Sequence, residues 1–297
     1  MSAVTCNPGI MRFVGLALLA VSSCARPIPR FTWTGEPTAP ARIQFDNQSE
    51  KAETFSWDFG DGNLSTDTLP AHRFVLSGRY PVSLSVRLKN KTRTLTQMID
   101  IKAPEKCLVE IETEFGTMLA ELYNDTPLHQ ENFLKLAQEG FFNDLLFHRV
   151  IDGFMIQGGD PDSKNAKPGQ SLGMGGPGYT VPAEFVAERI HVKGALAAAR
   201  TQNPEKRSSG SQFYIVQGSP LTPEQLDMME ARKGIRYGMP QREAYLELGG
   251  TPFLDGEYTV FGQVVEGLEV IDRITAAETD PRDRPVSDIK MKIRVIQ

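Results

Sequence analysis

The chain reads as mainly β, arranged as two domains behind an N-terminal leader. Three observations predict this. Residues 38–103 hold short runs of alternating apolar and polar residues, spaced by turn markers and free of helical periodicity. Beyond Cys107, strand-like β-branched and aromatic runs recur, and only a few segments carry helix signals. At 297 residues, 40% apolar and 23% charged, the chain is long enough for two sizeable cores and has ordinary globular composition.

Composition also excludes function classes. A net charge of -5 argues against nucleic acid as a partner. The three cysteines, Cys6, Cys24 and Cys107, form no CxxC pair, which removes a zinc ribbon, a redox motif and a disulfide framework. The four histidines (His72, His129, His148 and His191) have no i, i+4 pairing, so no metal site and no cofactor are expected.

In chain order, Met11-Arg12 precedes the apolar run Phe13–Val21 and then Ser22-Ser23-Cys24. A basic residue, a nine-residue apolar run and small residues describe a secretory signal over 1–23, too short to span a bilayer. Val21-Ser22-Ser23-Cys24 resembles a bacterial lipobox, which implies cleavage before Cys24, lipidation of its thiol and a lipid-anchored place in the bacterial cell envelope, at the periplasmic face or outer membrane. Residues 24–37 carry Pro27, Pro29 and Pro37 without periodicity and read as a tether.

In residues 38–103, Phe55-Ser56-Trp57-Asp58-Phe59 places alternating aromatics before the turn Gly60-Asp61-Gly62, and Gly78–Val86 and Thr92–Ile101 supply further strands. The expected fold is an all-β sandwich. The pattern WDFGDG, then His72-Arg73-Phe74, then Gly78-Arg79-Tyr80-Pro81-Val82, resembles a PKD domain, which implies an immunoglobulin-like β-sandwich acting as a spacer or binding a protein or glycan ligand. Asp58 and Asp61 are expected to cap turns rather than bind calcium.

The second domain, 107–297, opens with a strand at Leu108–Thr113, a turn at Phe115-Gly116 and a partner strand over Met118–Tyr123. Thr126 and Pro127 read as N-cap and first turn of a helix with Phe133, Leu134 and Ala137 on its apolar face, stopped by Gly140. A second short helix is expected over Gly267–Ile274, with Leu268, Val270, Ile271 and Ile274 on one side. Gly173–Gly178 formally matches GxGxxG, but no strand–helix unit surrounds it, so a surface loop is the better reading. Between them, 219–250 reads as a helical hairpin: Thr222-Pro223-Glu224-Gln225 is a capping box opening a helix to about Lys233, and Pro240–Leu248 is a second helix closed by Gly249-Gly250. It directly precedes Phe253, and two readings stay open: it rims a groove beside that residue, narrowing access or recognising partners, or it is decoration.

The stretch Phe147-His148-Arg149-Val150-Ile151-Asp152-Gly153-Phe154-Met155-Ile156-Gln157-Gly158-Gly159-Asp160 sets a fixed cation beside an apolar floor and an amide, which suits gripping a peptide. It resembles the signature of the cyclophilin peptidyl-prolyl isomerases, and the resemblance runs from about Cys107 to Gln297. This implies a closed eight-stranded antiparallel β-barrel capped by two helices, acting on proline-containing peptide segments of exported proteins. By the same resemblance Arg149 is the catalytic arginine, Phe154, Met155, Tyr214 and Leu254 form the proline pocket, and Gln157 contacts the substrate backbone and supports the arginine. Ala199, Arg200 and Gln212 line the edge that holds residues before the proline. Phe253 stands where tryptophan is usual, Tyr258 where histidine is usual, Tyr214 where phenylalanine is usual and Arg200 where asparagine is usual. The alternative class is a non-catalytic holdase or scaffold that grips peptides; the intact Arg149, Phe154 and Gln157 favour catalysis.

Overall fold

A computed structural model describes residues 26–297; the signal 1–23 and Cys24 lie outside the described residues. The first seven strands are β1 (Phe31–Thr34), β2 (Ala41–Asn47), β3 (Thr54–Asp58), β4 (Leu64–Ser65), β5 (Ala71–Phe74), β6 (Gly78–Leu88) and β7 (Lys91–Ile101). They form a three-stranded sheet, β1-β2-β5, and a four-stranded sheet, β4-β3-β6-β7. Part of the stretch read as tether is structured: Ile28 bridges to Glu50, and β1 pairs antiparallel with β2. Prolines at 27 and 29 flank this first bridge, and their local signal masked the short strand Phe31–Thr34 that follows.

The described residues divide into two compact units: 26–34 with Gln44–Ala71 and Pro81–Met98, and Gly35–Ile43 with His72–Tyr80 and Ile99–Gln297. The core of the first unit follows from strand periodicity. Trp57 is fully buried and packs edge-on against Phe31 at 5.1 Å between ring centroids, with Phe45 at 5.3 Å. Its indole Nε1 donates to Asp67 O at 2.9 Å, which satisfies its one polar atom. Asp58 accepts from Gly60 N and Asp61 from Asn63 N, so both aspartates close turns.

The second unit carries β8 (Leu108–Thr113), β9 (Gly116–Leu122), α1 (Pro127–Gln138), β10 (Arg149–Ile151), β11 (Met155–Gly158), β12 (Thr180–Val181), β13 (Ala195–Ala198), β14 (Ser208–Ser209), β15 (Phe213–Val216), α2 (Pro223–Lys233), α3 (Met239–Leu248), β16 (Val260–Glu266), α4 (Leu268–Thr275) and β17 (Lys292–Ile296). Eight of these strands form one curled sheet in the order β10-β11-β15-β13-β16-β9-β8-β17. The expected closed barrel is corrected here to a half-barrel: β10 and β17 are edges and do not pair with each other. Irregular backbone bonds span part of the gap, among them Phe147 N to Ile289 O (2.9 Å) and Met291 N to Leu145 O (2.8 Å).

Alternation along the central strands decides what each face carries. On β15, Phe213 and Ile215 enter the main core with Ile156, Leu196 and Ala198, while Tyr214 and Val216 join Met155, Ala195 and Ala197 on the other face. The main core is plugged by both helices, through Phe133, Leu136 and Ala137 of α1 and Val270, Ile271 and Ile274 of α4. Thr126 holds the N-cap position of α1 without a capping side-chain bond; its hydroxyl donates back to Tyr123 O. The two free N–H groups of Leu128 and His129 are met instead by the Glu184 carboxylate, each at 3.0 Å, which places a negative charge at a helix N-terminus.

Within 219–250 lie the two helices α2 and α3. Thr222 and Gln225 close a capping box on α2, and Gly234 ends it in the left-handed conformation.

Candidate active site

The residues singled out in the sequence converge on the face of the sheet opposite the main core. Arg149 on β10 lies directly across from Gln157 on β11, and Gln157 lies across from Tyr214 on β15. Because cross-strand partners share a face, three distant segments deliver a cation, an amide and an aromatic ring side by side. Phe154 and Met155 come from the turn into β11, Ala199 and Arg200 from the end of β13, and Leu254 and Tyr258 from the approach to β16. Together with Arg149, Gln157 and Tyr214 these residues line one cavity of about 180 Å³. Phe253 is 48% exposed, stacks on Phe154 at 5.8 Å and forms rim rather than lining. Gln212 lies one step further along, bonded to Gln157.

Each wall is fixed by identifiable contacts. Arg200 donates through Nε to Glu257 O at 3.0 Å and places its guanidinium 4.6 Å from the Tyr258 ring centroid, a cation–π contact. Tyr258 meets Tyr214 edge-on at 5.9 Å. Gln157 Nε2 donates to Gln212 Oε1 (3.0 Å), and Gln212 Nε2 donates to Gly175 O (2.7 Å). This amide chain anchors the glycine-rich loop, whose Gly173 and Gly175 N–H groups both point at the fully buried Asp160 carboxylate. A Cβ at Gly175 would sit 2.1 Å from Asp160 Oδ1, so only glycine fits. The polar trough along this loop, about 540 Å³, shares Gln157, Ala199 and Arg200 with the smaller cavity.

Support for the arginine differs from the expectation. Gln157 gives its amide N–H to Gln212, and Arg149 Nε instead donates to Asp283 Oδ2 at 3.3 Å. Among the described residues the two Nη groups of Arg149 have no further partner. The guanidinium is therefore held at one edge, with its fork free to donate into the cavity.

Sequence reasoning did not find Asp283, nor the buried network behind Tyr214. The Tyr214 hydroxyl meets His191 Nε2 at 2.9 Å, and His191 Nδ1 meets Asp255 Oδ1 at 2.7 Å. Asp255 Oδ2 accepts from Tyr237 and Tyr245, both at 2.6 Å. Burial holds the His191 imidazole below its ordinary range and raises the Tyr214 phenol. For Asp255, burial works upward, but the hydrogen bonds from His191, Tyr237 and Tyr245 outweigh it and keep the carboxyl below its ordinary range. The network thus consists of one carboxylate ringed by neutral donors. The cavity offers no nucleophile–base pair, and what it can do is bind and polarise.

Known families and proteins resemble this chain. The family described as cyclophilin type peptidyl-prolyl cis-trans isomerase/CLD matches residues 108–295, and the PKD domain family matches residues 24–103. A protein of Staphylococcus saprophyticus assigned as a peptidyl-prolyl cis-trans isomerase is 39% identical over 183 residues, 60% of this chain and 86% of its own length. A Streptococcus pyogenes protein assigned as a bifunctional phosphatase and peptidyl-prolyl cis-trans isomerase is 40% identical over 190 residues, which span 61% of this chain but only 37% of that longer protein. A solved cyclophilin type isomerase of Cryptosporidium parvum aligns over 65% of this chain and 98% of its own at 25% identity, with a TM-score of 0.47. The chain belongs to the cyclophilin-type peptidyl-prolyl cis-trans isomerase family, and its N-terminal part is a PKD domain.

Proposed function

We propose that this protein is a peptidyl-prolyl isomerase anchored in the bacterial cell envelope, where it speeds the folding of exported proteins. One observation carries the catalytic part: Arg149, with unpartnered Nη groups, stands at the wall of an apolar cavity floored by Phe154, Met155, Tyr214 and Leu254.

Rotation about a peptide bond faces a barrier of about 18–20 kcal/mol because the nitrogen lone pair is conjugated with the carbonyl. X-Pro bonds populate both isomers and exchange over tens of seconds or more. Acceleration requires tighter binding of the twisted amide than of either planar form. In this site the proline ring sits in the apolar cavity and stays fixed. As the amide twists, the prolyl nitrogen becomes pyramidal and basic, and an Nη–H of Arg149 donates to it. A guanidinium keeps its charge and geometry throughout, so no proton transfer is needed. Residues before the proline lie along Ala199, Arg200 and Gln212, against the trough of the glycine-rich loop, with Gln157 at the junction. No cofactor or covalent intermediate enters.

Anchoring rests on Val21-Ser22-Ser23-Cys24 and on the apolar run before it. Two or more acyl chains on one residue give stable membrane attachment where one does not. The PKD domain then serves as a spacer or as a module for a protein or glycan ligand. Two measurements test the reading. Full-length protein should shorten a proline-limited refolding phase of an exported client, and unchanged kinetics would count against the folding role. Palmitate labelling and membrane fractionation should both be lost in Cys24→Ala; a labelled, membrane-bound variant would overturn the anchor.

A further inference from the structure

The two helices of 219–250 bury few apolar side chains of their own: Leu226 on α2 and Tyr245 on α3 are the buried residues. Hydrophobic packing of this size holds a hairpin weakly. Polar fastening does the rest. Tyr237 and Tyr245 both donate to Asp255, Lys233 Nζ donates to the carbonyls of Phe253 (2.8 Å) and Asp255 (2.6 Å), and Gln241 Nε2 donates to Ala187 O (2.8 Å). These bonds fix the turn between α2 and α3 opposite segment 185–190.

Between that turn and that segment lies a cleft of about 430 Å³. This falls within the roughly 300–1,000 Å³ typical of ligand pockets. Phe185 and Ile235 stand at its mouth, 44% and 37% exposed, and Ile190 and Val260 line it more deeply. Tyr258 lines both this cleft and the proline cavity. The proline cavity therefore has two neighbours: the polar trough, shared through Gln157, Ala199 and Arg200, and this apolar cleft, shared through Tyr258. The cleft's lining also carries Glu188 and Arg236, which have no ion pair among the described residues, and the Arg189 charge is matched by Asp125 at 2.7 Å. With acid and base in balance, the lining selects for apolar bulk and not for charge.

We propose that this cleft is a second peptide subsite, which takes a bulky apolar side chain of the substrate from a residue following the proline and seats it between Phe185 and Ile235. The proposal rests on the proline-pocket reading above: with residues before the proline in the polar trough, the chain leaves past Tyr258 toward the cleft. The hairpin 219–250 is then a specificity element of the isomerase, built by insertion beside the site.

The test uses full-length protein and capped Ala-Ala-Pro peptides, extended after the proline by alanines or with phenylalanine at successive positions. Prolyl exchange is measured by NMR together with the shift of the Ile235 δ-methyl, in wild type and in Ile235→Asp, with folding of the variant checked by circular dichroism. The expected result is a KM lower by on the order of tenfold for one phenylalanine position after the proline. It is accompanied by a shift of the Ile235 methyl, and in Ile235→Asp the ratio of the two KM values falls to about one. Turnover without phenylalanine preference, a preference that survives in Ile235→Asp, or a preference only for residues before the proline overturns the subsite while leaving the isomerase intact. Binding without turnover removes the isomerase reading, and the methyl shift then decides the subsite alone. A folded protein that neither binds nor turns over any of the peptides removes both.

Discussion

Replacing Asp255 with alanine should be among the most damaging single changes in the second unit that leave Arg149 and the proline-cavity side chains in place. Four donors converge on that carboxylate: His191 N (2.9 Å), His191 Nδ1 (2.7 Å), and the hydroxyls of Tyr237 and Tyr245 (2.6 Å each). His191 and Tyr245 are fully buried and Tyr237 is 8% exposed, so water cannot readily replace the lost acceptor. Bonds to a charged acceptor contribute about 1.5–3 kcal/mol each but are not additive. Each buried donor left without an acceptor costs about 1–3 kcal/mol, and with several donors affected at once the loss should be about 3–5 kcal/mol. At roughly 2–4 °C per kcal/mol for a domain of this size, the unfolding midpoint should fall by about 6–20 °C. Tyrosine near-UV circular dichroism follows the event, and both tryptophans, Trp33 and Trp57, lie in the first unit and identify its transition separately. Amide exchange should rise first in α2 and α3, which the carboxylate fastens. A loss below about 1 kcal/mol, or exchange that rises everywhere except in these helices, would show that the Asp255 carboxylate does not fasten them.

Acid should destabilise the protein from about pH 6.5 downward, the ordinary histidine value. Burial depresses His129, His148 and His191, His148 to about 4, so below pH 6.5 the unfolded chain binds protons that the native chain does not. His148 alone then removes about 1.4 kcal/mol per pH unit, roughly 3 kcal/mol by pH 4; a flat urea midpoint between pH 7.5 and 5 would contradict this. Asp283→Asn should leave the unfolding free energy within about 1 kcal/mol of wild type, because the pair with Arg149 is 42–44% exposed on both sides. Asparagine also tolerates the left-handed backbone at 283 (φ 64°), yet kcat in the exchange assay should drop severalfold as a neutral amide oxygen replaces the charged acceptor that holds Arg149. Gly175→Ala forces a Cβ to 2.1 Å from Asp160 Oδ1 and should cost about 1–3 kcal/mol while raising KM, since the moved loop no longer receives Gln212; unchanged KM would show that the loop does not shape the substrate trough.

Much of this fold could be read from the sequence because its signals are local. The capping box Thr222–Gln225 and the stop at Gly234 mark α2 within a dozen residues. The run Arg149–Gln157 carries the site because one tight hairpin holds both ends in register. What escaped depends on contacts between distant segments. Arg149 and Asp283 are 134 positions apart, and nothing around Asp283 signals a partner. Asp255 looks like a turn residue until folding brings His191, Tyr237 and Tyr245 around it. Thr126 has the right residue type to cap α1, but the distant Glu184 reaches those N–H groups instead. The open edge between β10 and β17 is likewise invisible locally, since strand-like runs do not reveal whether a sheet's edges meet.

Arg149 is proposed to lower the rotational barrier without covalent chemistry. Prolyl cis/trans exchange in an Ala-Ala-Pro-Phe peptide, measured by exchange spectroscopy with wild type, Arg149→Lys and Arg149→Ala, tests it most directly. Fast exchange is expected from wild type, with a loss of kcat/KM on the order of a hundredfold in folded Arg149→Ala. Lysine should recover only part of the loss because it lacks the rigid fork. A folded Arg149→Ala protein that exchanges the peptide as fast as wild type would show that Arg149 does not lower the barrier.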